Sequence, residues 1–209
     1  MNTLIKFDEF EITVTKKRVK YARLKVSKDA KIALSLPINY SDSLMFKFLQ
    51  THKEWLKQTV EKRKASMLPK NKTMLLGQIY TLKFDESLKE VQILESEILT
   101  PNLTEFTKFK KDFARNEFVK FIEIYQPIVD KKINKIVVRD MNTRWGSCNS
   151  KKGYINLALN LVEKNPKLIE YVVFHELTHL LYPHHQKSFY KFIESLMPDY
   201  KLREKMLRG

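Results

Sequence analysis

One segment, YVVFHELTHLL from Tyr171 to Leu181, contains an HExxH pattern formed by His175, Glu176 and His179. Four residues are close to one helical turn, so on a helix both imidazoles project from the same face, about a turn apart. The residues on either side of the pattern are apolar nearly all round, which predicts a buried helix. Two histidines and a glutamate inside a core need compensation, and a bound metal supplies it.

The spacing of the two histidines suits zinc chemistry. It lets two nitrogens reach one tetrahedral Zn²⁺ at roughly 2.0–2.1 Å. Glu176 follows the first histidine and points beside the metal, where it can take a proton from metal-bound water and pass it to a leaving group. A random HExxH is expected on the order of once in a hundred chains of this length. The competing interpretation is two partly exposed histidines with an ordinary surface glutamate, and the apolar flanks argue against it.

A catalytic zinc site uses three protein ligands and keeps one position open. His184 and His185 are candidates for the third ligand, because they follow Pro183, which we expect to end the helix and turn the chain back. Cys148 is another conceivable ligand, although a lone cysteine is more often a small buried hydrophobe. The residues alone leave this choice open.

The elements around the motif indicate an α+β architecture. Asn165 and Pro166 form a cap and first-turn pair that opens a helix reaching to Leu181. A further helical stretch follows from about Gln186. The elements expected before the motif are a long helix, a strand and a hairpin, at about residues 104–134, 135–139 and 145–159.

The first hundred residues have a different pattern. Apolar and polar residues alternate at 10–14, 22–26 and 31–36, which predicts strands in an antiparallel meander or hairpin. A helix is expected from about Ser43 to Ala65, with Trp55 on its apolar face, followed by short strands at about 73–82 and 90–99. We therefore expect an N-terminal β-rich region with one helix at 1–100 and a catalytic domain at 101–209.

Composition restricts the setting and the partners. The net charge is +15, from 39 Lys and Arg against 24 Asp and Glu, and a field of that sign attracts polyanions. The basic residues are scattered along the chain, so charge permits a nucleic-acid partner without indicating one. A single cysteine excludes an intramolecular disulfide, and neither a signal peptide nor an apolar run of membrane-spanning length is evident. These features predict a soluble cytoplasmic protein without a membrane partner.

Several motifs together resemble a known family. They are TRWGSC from Thr143 to Cys148, then Gly153 and Ile155, the HExxH segment, and finally Pro183, His185, Phe189 and Pro198. Their combination resembles the YgjP-like metallopeptidases, zincin-type proteins related to the SprT-like metallopeptidases. The resemblance covers the chain from about Ile136. It implies a zincin-like core with the HExxH helix packed beside a small sheet or hairpin, a Zn²⁺ cofactor, and His185 as the third ligand, since His184 stands where the family usually has asparagine.

Three further residues are candidates for substrate binding. Arg144 is able to bind a carboxylate, a phosphate or a developing oxyanion near the metal. Its alternative role is a structural salt bridge that holds the hairpin beside the metal helix. Tyr154 and Tyr190 are possible oxyanion donors.

The leading functional hypothesis is a zinc metallopeptidase in which Glu176 is the general base and a peptide or protein is the substrate. One alternative keeps the metal and hydrolyses a phosphoanhydride of a nucleoside triphosphate, which the positive charge would suit. Another is a protease associated with nucleic acid, like the SprT-like relatives, although no zinc finger or helix-turn-helix is evident. The sequence predicts neither the cleavage specificity nor the oligomeric state.

Overall fold

The computed structural model describes residues 2–27, 29–65, 67–141 and 143–208. The chain forms two compact units, residues 1–69 and residues 70–209, here called the first and the second unit. The strands between residues 72 and 100 therefore lie in the second unit, and the two units divide before the predicted boundary at residue 100. Helices and several small sheets alternate along the chain, so the mixed α+β class is confirmed.

The described residues of the first unit form one sheet of four strands and two helices. Its elements are β1 (Asn2–Phe7), β2 (Phe10–Lys17), β3 (Arg23–Val26), β4 (Ile32–Pro37), α1 (Asp42–Thr51) and α2 (Lys53–Ala65). The strand order is β1-β2-β4-β3. The outer pairs are antiparallel, but β2 and β4 pair in parallel, so the sheet is mixed and the predicted meander is wrong at its centre. Alternation along a strand indicates which face is buried but does not identify the neighbouring strand.

Alternating residues of β2 and β4 form the core of the first unit together with the two helices. Ile12, Leu34, Leu49 and Leu56 are fully buried. The single helix expected here is two helices, because the first ends at Thr51 and the second begins at Lys53. Leu56 and Val60 form the buried side of α2, whereas Trp55 remains 46% exposed, contrary to the prediction.

The second unit has two small sheets. Its strands are β5 (Lys72–Leu75), β6 (Gln78–Phe84), β7 (Gln92–Ile93), β8 (Glu97–Thr100), β9 (Lys135–Arg139), β10 (Gly146–Asn149) and β11 (Tyr154–Ala158). The first sheet has the order β5-β6-β8-β7 and the second β10-β11-β9. In the second sheet β10 and β11 form the predicted antiparallel hairpin, while β9 is parallel to β11. This topology leaves β10 at the edge of the sheet.

Four α-helices complete the second unit: α3 (Leu103–Val129), α4 (Pro166–Thr178), α5 (Lys187–Leu196) and α6 (Tyr200–Arg208). The side chain of Asn102 caps α3 by accepting a hydrogen bond from the N–H of Glu105 at 3.0 Å. The helix ends at Val129, before the predicted end at 134, since Asp130 has a left-handed backbone with φ 47°. None of the helices among the described residues is long and apolar enough to cross a membrane.

The helix α4 carries the HExxH motif and is the most enclosed helix of the second unit. Its start is confirmed: Asn165 accepts a hydrogen bond from the N–H of Lys167 at 3.0 Å, and Pro166 is the first helical residue. Its burial is also confirmed, since eight of the nine buried positions on it lie between Ile169 and Thr178. It packs against α3, α5, α6, β10 and β11. The stacked rings of Tyr125 and Phe174, 4.4 Å apart, form part of the contact with α3.

Candidate metal centre

Three histidine rings converge at the end of α4. His175 lies in the last turn of that helix, His179 is its C-terminal cap, and His185 comes from the loop before α5. One ring nitrogen of each lies within 4.8 Å of the other two. The Nε2 atoms of His175 and His185 are 3.0 Å apart. This cluster of ligand-type side chains includes neither His184 nor Cys148 among the described residues.

The loop returns His185 to the helix because α4 ends tightly. The N–H groups of Leu180 and Tyr182 donate to the carbonyls of Leu177 and Thr178, each at 2.9 Å, so the last turn closes on itself. Pro183 follows, and the chain enters α5 at Lys187. The helix therefore ends at Thr178, three residues before the predicted end, and the freed residues form the turn that brings His185 back.

A single aromatic side chain packs against all three imidazoles. Phe189 on α5 is fully buried, and its ring centroid lies 4.9, 4.7 and 4.8 Å from those of His175, His179 and His185. Such close contacts restrict the rotamers of the three rings. The sequence indicates the importance of Phe189 in one way, because Phe189 is among the residues that carry the family resemblance.

The tautomer of His179 follows from a hydrogen bond to the backbone. Its Nδ1–H donates to the carbonyl oxygen of Tyr182 at 3.2 Å. With the proton on Nδ1, the Nε2 lone pair is free to bind a metal. A backbone carbonyl thus orients the ring and fixes which nitrogen is the ligand.

Burial keeps two of the histidines neutral. Burial, and next the charges of His179 and His185, lower the pKa of His175 to about 3. Burial also lowers the pKa of His179. Neutral imidazole is the form that binds a metal ion, so protons do not compete for these two rings near neutral pH.

The geometry and the unpartnered atoms fit a divalent cation. Two nitrogen ligands of a tetrahedral Zn²⁺ are about 3.3 Å apart, close to the observed 3.0 Å between His175 and His185. Two ring nitrogens that face each other at this distance need either a shared proton or a common cation. Glu176 Oε2 and His175 Nδ1 are buried and have no hydrogen-bond partner among the described residues. A positive ion offsets the cost of leaving such a carboxylate oxygen in the interior.

Glu176 lies beside the three rings and against β10. It is only 6% exposed, and burial raises the pKa of its carboxyl to about 8, while the positive charge of Arg144 opposes the shift. Its carboxylate lies directly over Gly146. A Cβ atom on Gly146 would lie 2.6 Å from Glu176 Cγ and Oε1, so the glutamate side chain would have to move. The glycine of the TRWGSC motif therefore provides the space that this carboxylate occupies.

The histidines and Glu176 open into a pocket of about 480 Å³. Arg144 lines it, as predicted for a residue near the metal. Tyr154 and Tyr190 are not among the described lining residues: Tyr154 pairs with Asn149 at the far end of the hairpin, and Tyr190 stacks on His185 with centroids 5.9 Å apart. Their proposed role as oxyanion donors stays untested.

Cys148 also lines this pocket but is not in the thiolate form. Burial, and next the negative charge of Glu176, raise the pKa of its thiol to about 12. It is therefore a neutral thiol at the edge strand, in agreement with its interpretation as a small hydrophobe.

Sequence patterns gave no indication of one wall of the pocket. This wall is formed by α6, through Glu204, Leu207 and Arg208. The helix is far from β10 in the sequence, but residues of both elements line the same pocket. Arg208 donates to Glu204 at 2.6 Å across one turn of the helix. In the sequence these residues have the pattern of an ordinary amphipathic helix. Only the packing of α6 on α4 brings them to the site.

Comparisons with known proteins identify the family of this chain. No curated protein is similar enough in sequence to match the chain. Among solved structures, the chain resembles the metallopeptidase zymogen of Pyrococcus abyssi abylysin, with 21% identity and a TM-score of 0.40 over 43% of this chain and 90% of that chain. The model of the YgjP-like metallopeptidase domain matches residues 20–209, which include all three histidines and Glu176. The chain therefore belongs to the YgjP-like metallopeptidase family.

Proposed function

We propose that this metallopeptidase-family protein is a zinc-dependent peptide hydrolase in which His175, His179 and His185 hold the metal and Glu176 is the general base. The observation that carries the proposal is the convergence of three histidine nitrogens within 4.8 Å beside a buried carboxylate on the same helix. Three histidines are a ligand set that leaves a fourth zinc position open for chemistry. Zinc rather than another metal is favoured by the all-nitrogen donor set.

Each residue of the cluster has a separate task. Zinc at this position supplies a Lewis acid that acidifies water and polarises a carbonyl. The Glu176 carboxylate accepts the proton of the attacking water and delivers it to the leaving amine nitrogen. Its unpartnered Oε2 is available for this proton, and its burial increases its proton affinity. Arg144 lines the same pocket, and its guanidinium would stabilise negative charge that develops on the carbonyl oxygen.

An extended peptide is the substrate that the pocket accommodates best. The strand β10 pairs only with β11 among the described residues, so its other edge has free N–H and C=O groups. Ser147 and Cys148 of this strand line the pocket beside Glu176. A peptide that adds to this edge as a further strand would bring its backbone carbonyls past the metal ligands.

The test is metal content measured together with turnover. The purified wild type, Glu176→Gln and the control Glu123→Gln, an exposed glutamate on α3 outside the pocket, are analysed for zinc and assayed on a peptide library. We expect about one zinc in each protein and turnover in the wild type and the control, with a loss of at least about a hundredfold in Glu176→Gln. Absence of bound metal after loading, or full activity of Glu176→Gln, would refute the proposal.

A second substrate class is supported by two arginines of the pocket, of which Arg208 is paired with Glu204. Arg144 and Arg208 both line the pocket, and a pair of guanidinium groups binds phosphate oxygens well. The same metal centre would then hydrolyse a phosphoanhydride of a nucleoside triphosphate. Release of pyrophosphate or phosphate from nucleoside triphosphates, abolished by Glu176→Gln and without turnover of any peptide, would select this class over the peptidase. Peptide turnover without phosphate release would exclude it.

A further inference from the structure

Positive charge is concentrated in the first unit, away from the metal centre in sequence. Residues 1–69 contain 15 Lys and Arg against 7 Asp and Glu, a net charge of +8. More than half of the net charge of +15 thus lies in a third of the chain. Charge of this density attracts a polyanion, and the arrangement of side chains indicates where such a ligand binds.

A groove of about 700 Å³ runs along β3, the edge strand of the first sheet. Its described lining residues are Lys17, Ala22, Arg23, Leu24, Lys25, Ala33, Ser35, Phe48, His52 and Trp55. They include three cations and no acid. The groove therefore combines uncompensated positive charge with three aromatic or imidazole rings.

Two of the three cations, Arg23 and Lys25, lie at alternate positions along β3. Arg23 and Lys25 are two residues apart on β3 and project from the same face of the strand. Their partners across the ladder are Ser35 and Ala33, which are too small to cover them. The ion pairs of the first unit among the described residues join other side chains, namely Lys16 to Asp42, Lys31 to Asp29 and Lys53 to Asp8. Lys17, Arg23 and Lys25 thus have no acidic partner in the part of the chain that the structure describes.

The aromatic residues of the groove present a stacking surface. Phe48 and His52 stack with ring centroids 4.2 Å apart, and Nδ1–H of His52 donates to the carbonyl of Phe48 at 2.8 Å. Trp55 follows three residues later and leaves 46% of its surface exposed. The buried side of α2 is formed by Leu56 and Val60, so packing within the first unit does not require an indole at position 55.

We propose that this groove binds single-stranded nucleic acid, with Lys17, Arg23 and Lys25 on the phosphates and Trp55 stacked on a base. Single-stranded nucleic acid has a negatively charged backbone and flat bases. The cations along the edge strand suit the backbone, and the exposed indole suits the bases. An acidic peptide would use the cations but not the indole, so the proposal commits to the nucleic acid. It is independent of the metal centre and holds whichever substrate that centre hydrolyses.

The test uses the full chain and fluorescently labelled oligothymidylate and oligouridylate of about 20 nucleotides. Binding is measured by anisotropy at several salt concentrations for the wild type, Arg23→Gln/Lys25→Gln and Trp55→Ala. The matched control is Lys47→Gln/Lys64→Gln, which removes the same charge from exposed positions of α1 and α2 that do not line the groove. Thermal unfolding of each variant establishes that the first unit remains folded.

We expect the groove double variant to reduce the slope of log K against log salt by about 1.4, since each lost phosphate contact on a single strand contributes about 0.7. Trp55→Ala should weaken binding about fivefold or more with the slope unchanged, because stacking does not release counterions. The control double variant should keep nearly the wild-type slope.

Three results would overturn the proposal. The first is no binding of either oligonucleotide at low salt. The second is an equal loss in the control double variant, which would mean diffuse attraction to the whole surface. The third is equal competition by polyglutamate together with full affinity of Trp55→Ala, which would assign the groove to an acidic protein partner.

Discussion

The close approach of Gly146 to Glu176 makes Gly146→Ala the most informative single substitution in this protein. The new Cβ would lie 2.6 Å from Glu176 Cγ and Oε1 and 2.8 Å from Cδ. Carbon atoms in contact are ordinarily about 3.5–4.0 Å apart, so the carboxylate has to move by about 1 Å. A displacement of 1 Å in a catalytic group costs about a hundredfold in rate, or about 2.7 kcal/mol of transition-state stabilisation.

The assay is peptide hydrolysis with kcat and KM determined separately. We expect Gly146→Ala to lower kcat about a hundredfold, with KM and zinc content near those of the wild type, because the three atoms nearest to the new Cβ all belong to Glu176. The neighbouring atoms belong to a side chain that can rotate, so the fold should persist. Retention of kcat within about threefold, or loss of the metal, would refute the reasoning.

Two further variants separate displacement of the base from general strain. Gly153 has φ +63°, and a Cβ there would lie 2.7 Å from the carbonyl oxygen of Lys132, so Gly153→Ala should lower the melting temperature and leave kcat largely intact. Glu176→Asp shortens the base by one methylene. It should therefore cost less activity in the Gly146→Ala background than in the wild type, and simple additivity of the two losses would contradict the contact.

Three other predictions follow from the structure. His185→Ala should lose zinc on dialysis while His184→Ala retains about one equivalent by elemental analysis, and the reverse result would assign the third ligand to His184. At pH 8 folded Cys148 should react with iodoacetamide about a thousandfold or more slowly than in the unfolded chain, because a thiol pKa of about 12 leaves it protonated. The rate of alkylation should rise as the pH approaches 12. Rapid alkylation at pH 8 would contradict this prediction. Arg203→Ala should lower the free energy of unfolding by about 1–3 kcal/mol in urea titrations, since Arg203 is largely buried and donates to Glu170 at 2.6 Å; an unchanged midpoint would rule out a stabilising role.

Local patterns were sufficient for the elements of the second unit that carry the site. The cap and proline at Asn165 and Pro166 predicted the start of α4, and the apolar residues around His175 predicted its burial. The hairpin was predicted because alternating strands flank a turn that contains Gly153. Each of these features depends on residues that are close together in the chain. A single sequence is therefore enough to predict them.

The errors of prediction concern features that depend on distant residues. The meander expected in the first unit is a mixed sheet, because the pairing of β2 with β4 depends on which strands meet and not on their alternation. The exposure of Trp55 depends on which side of α2 packs on the sheet, since Leu56 and Val60 are buried while the adjacent Trp55 is 46% exposed.

The sequence by itself predicted a buried helix with two histidines on one face, because HExxH at helical spacing within apolar flanks depends on one turn of backbone. The family resemblance implied His185, but only the tertiary structure shows that His185 rather than His184 joins the cluster, that Gly146 lies under Glu176, and that α6 closes the pocket. Those three facts depend on how the chain returns after Thr178 and on which surfaces pack together. The physical reason is that side-chain distances between elements are fixed by packing, to which residues far apart in the chain contribute jointly.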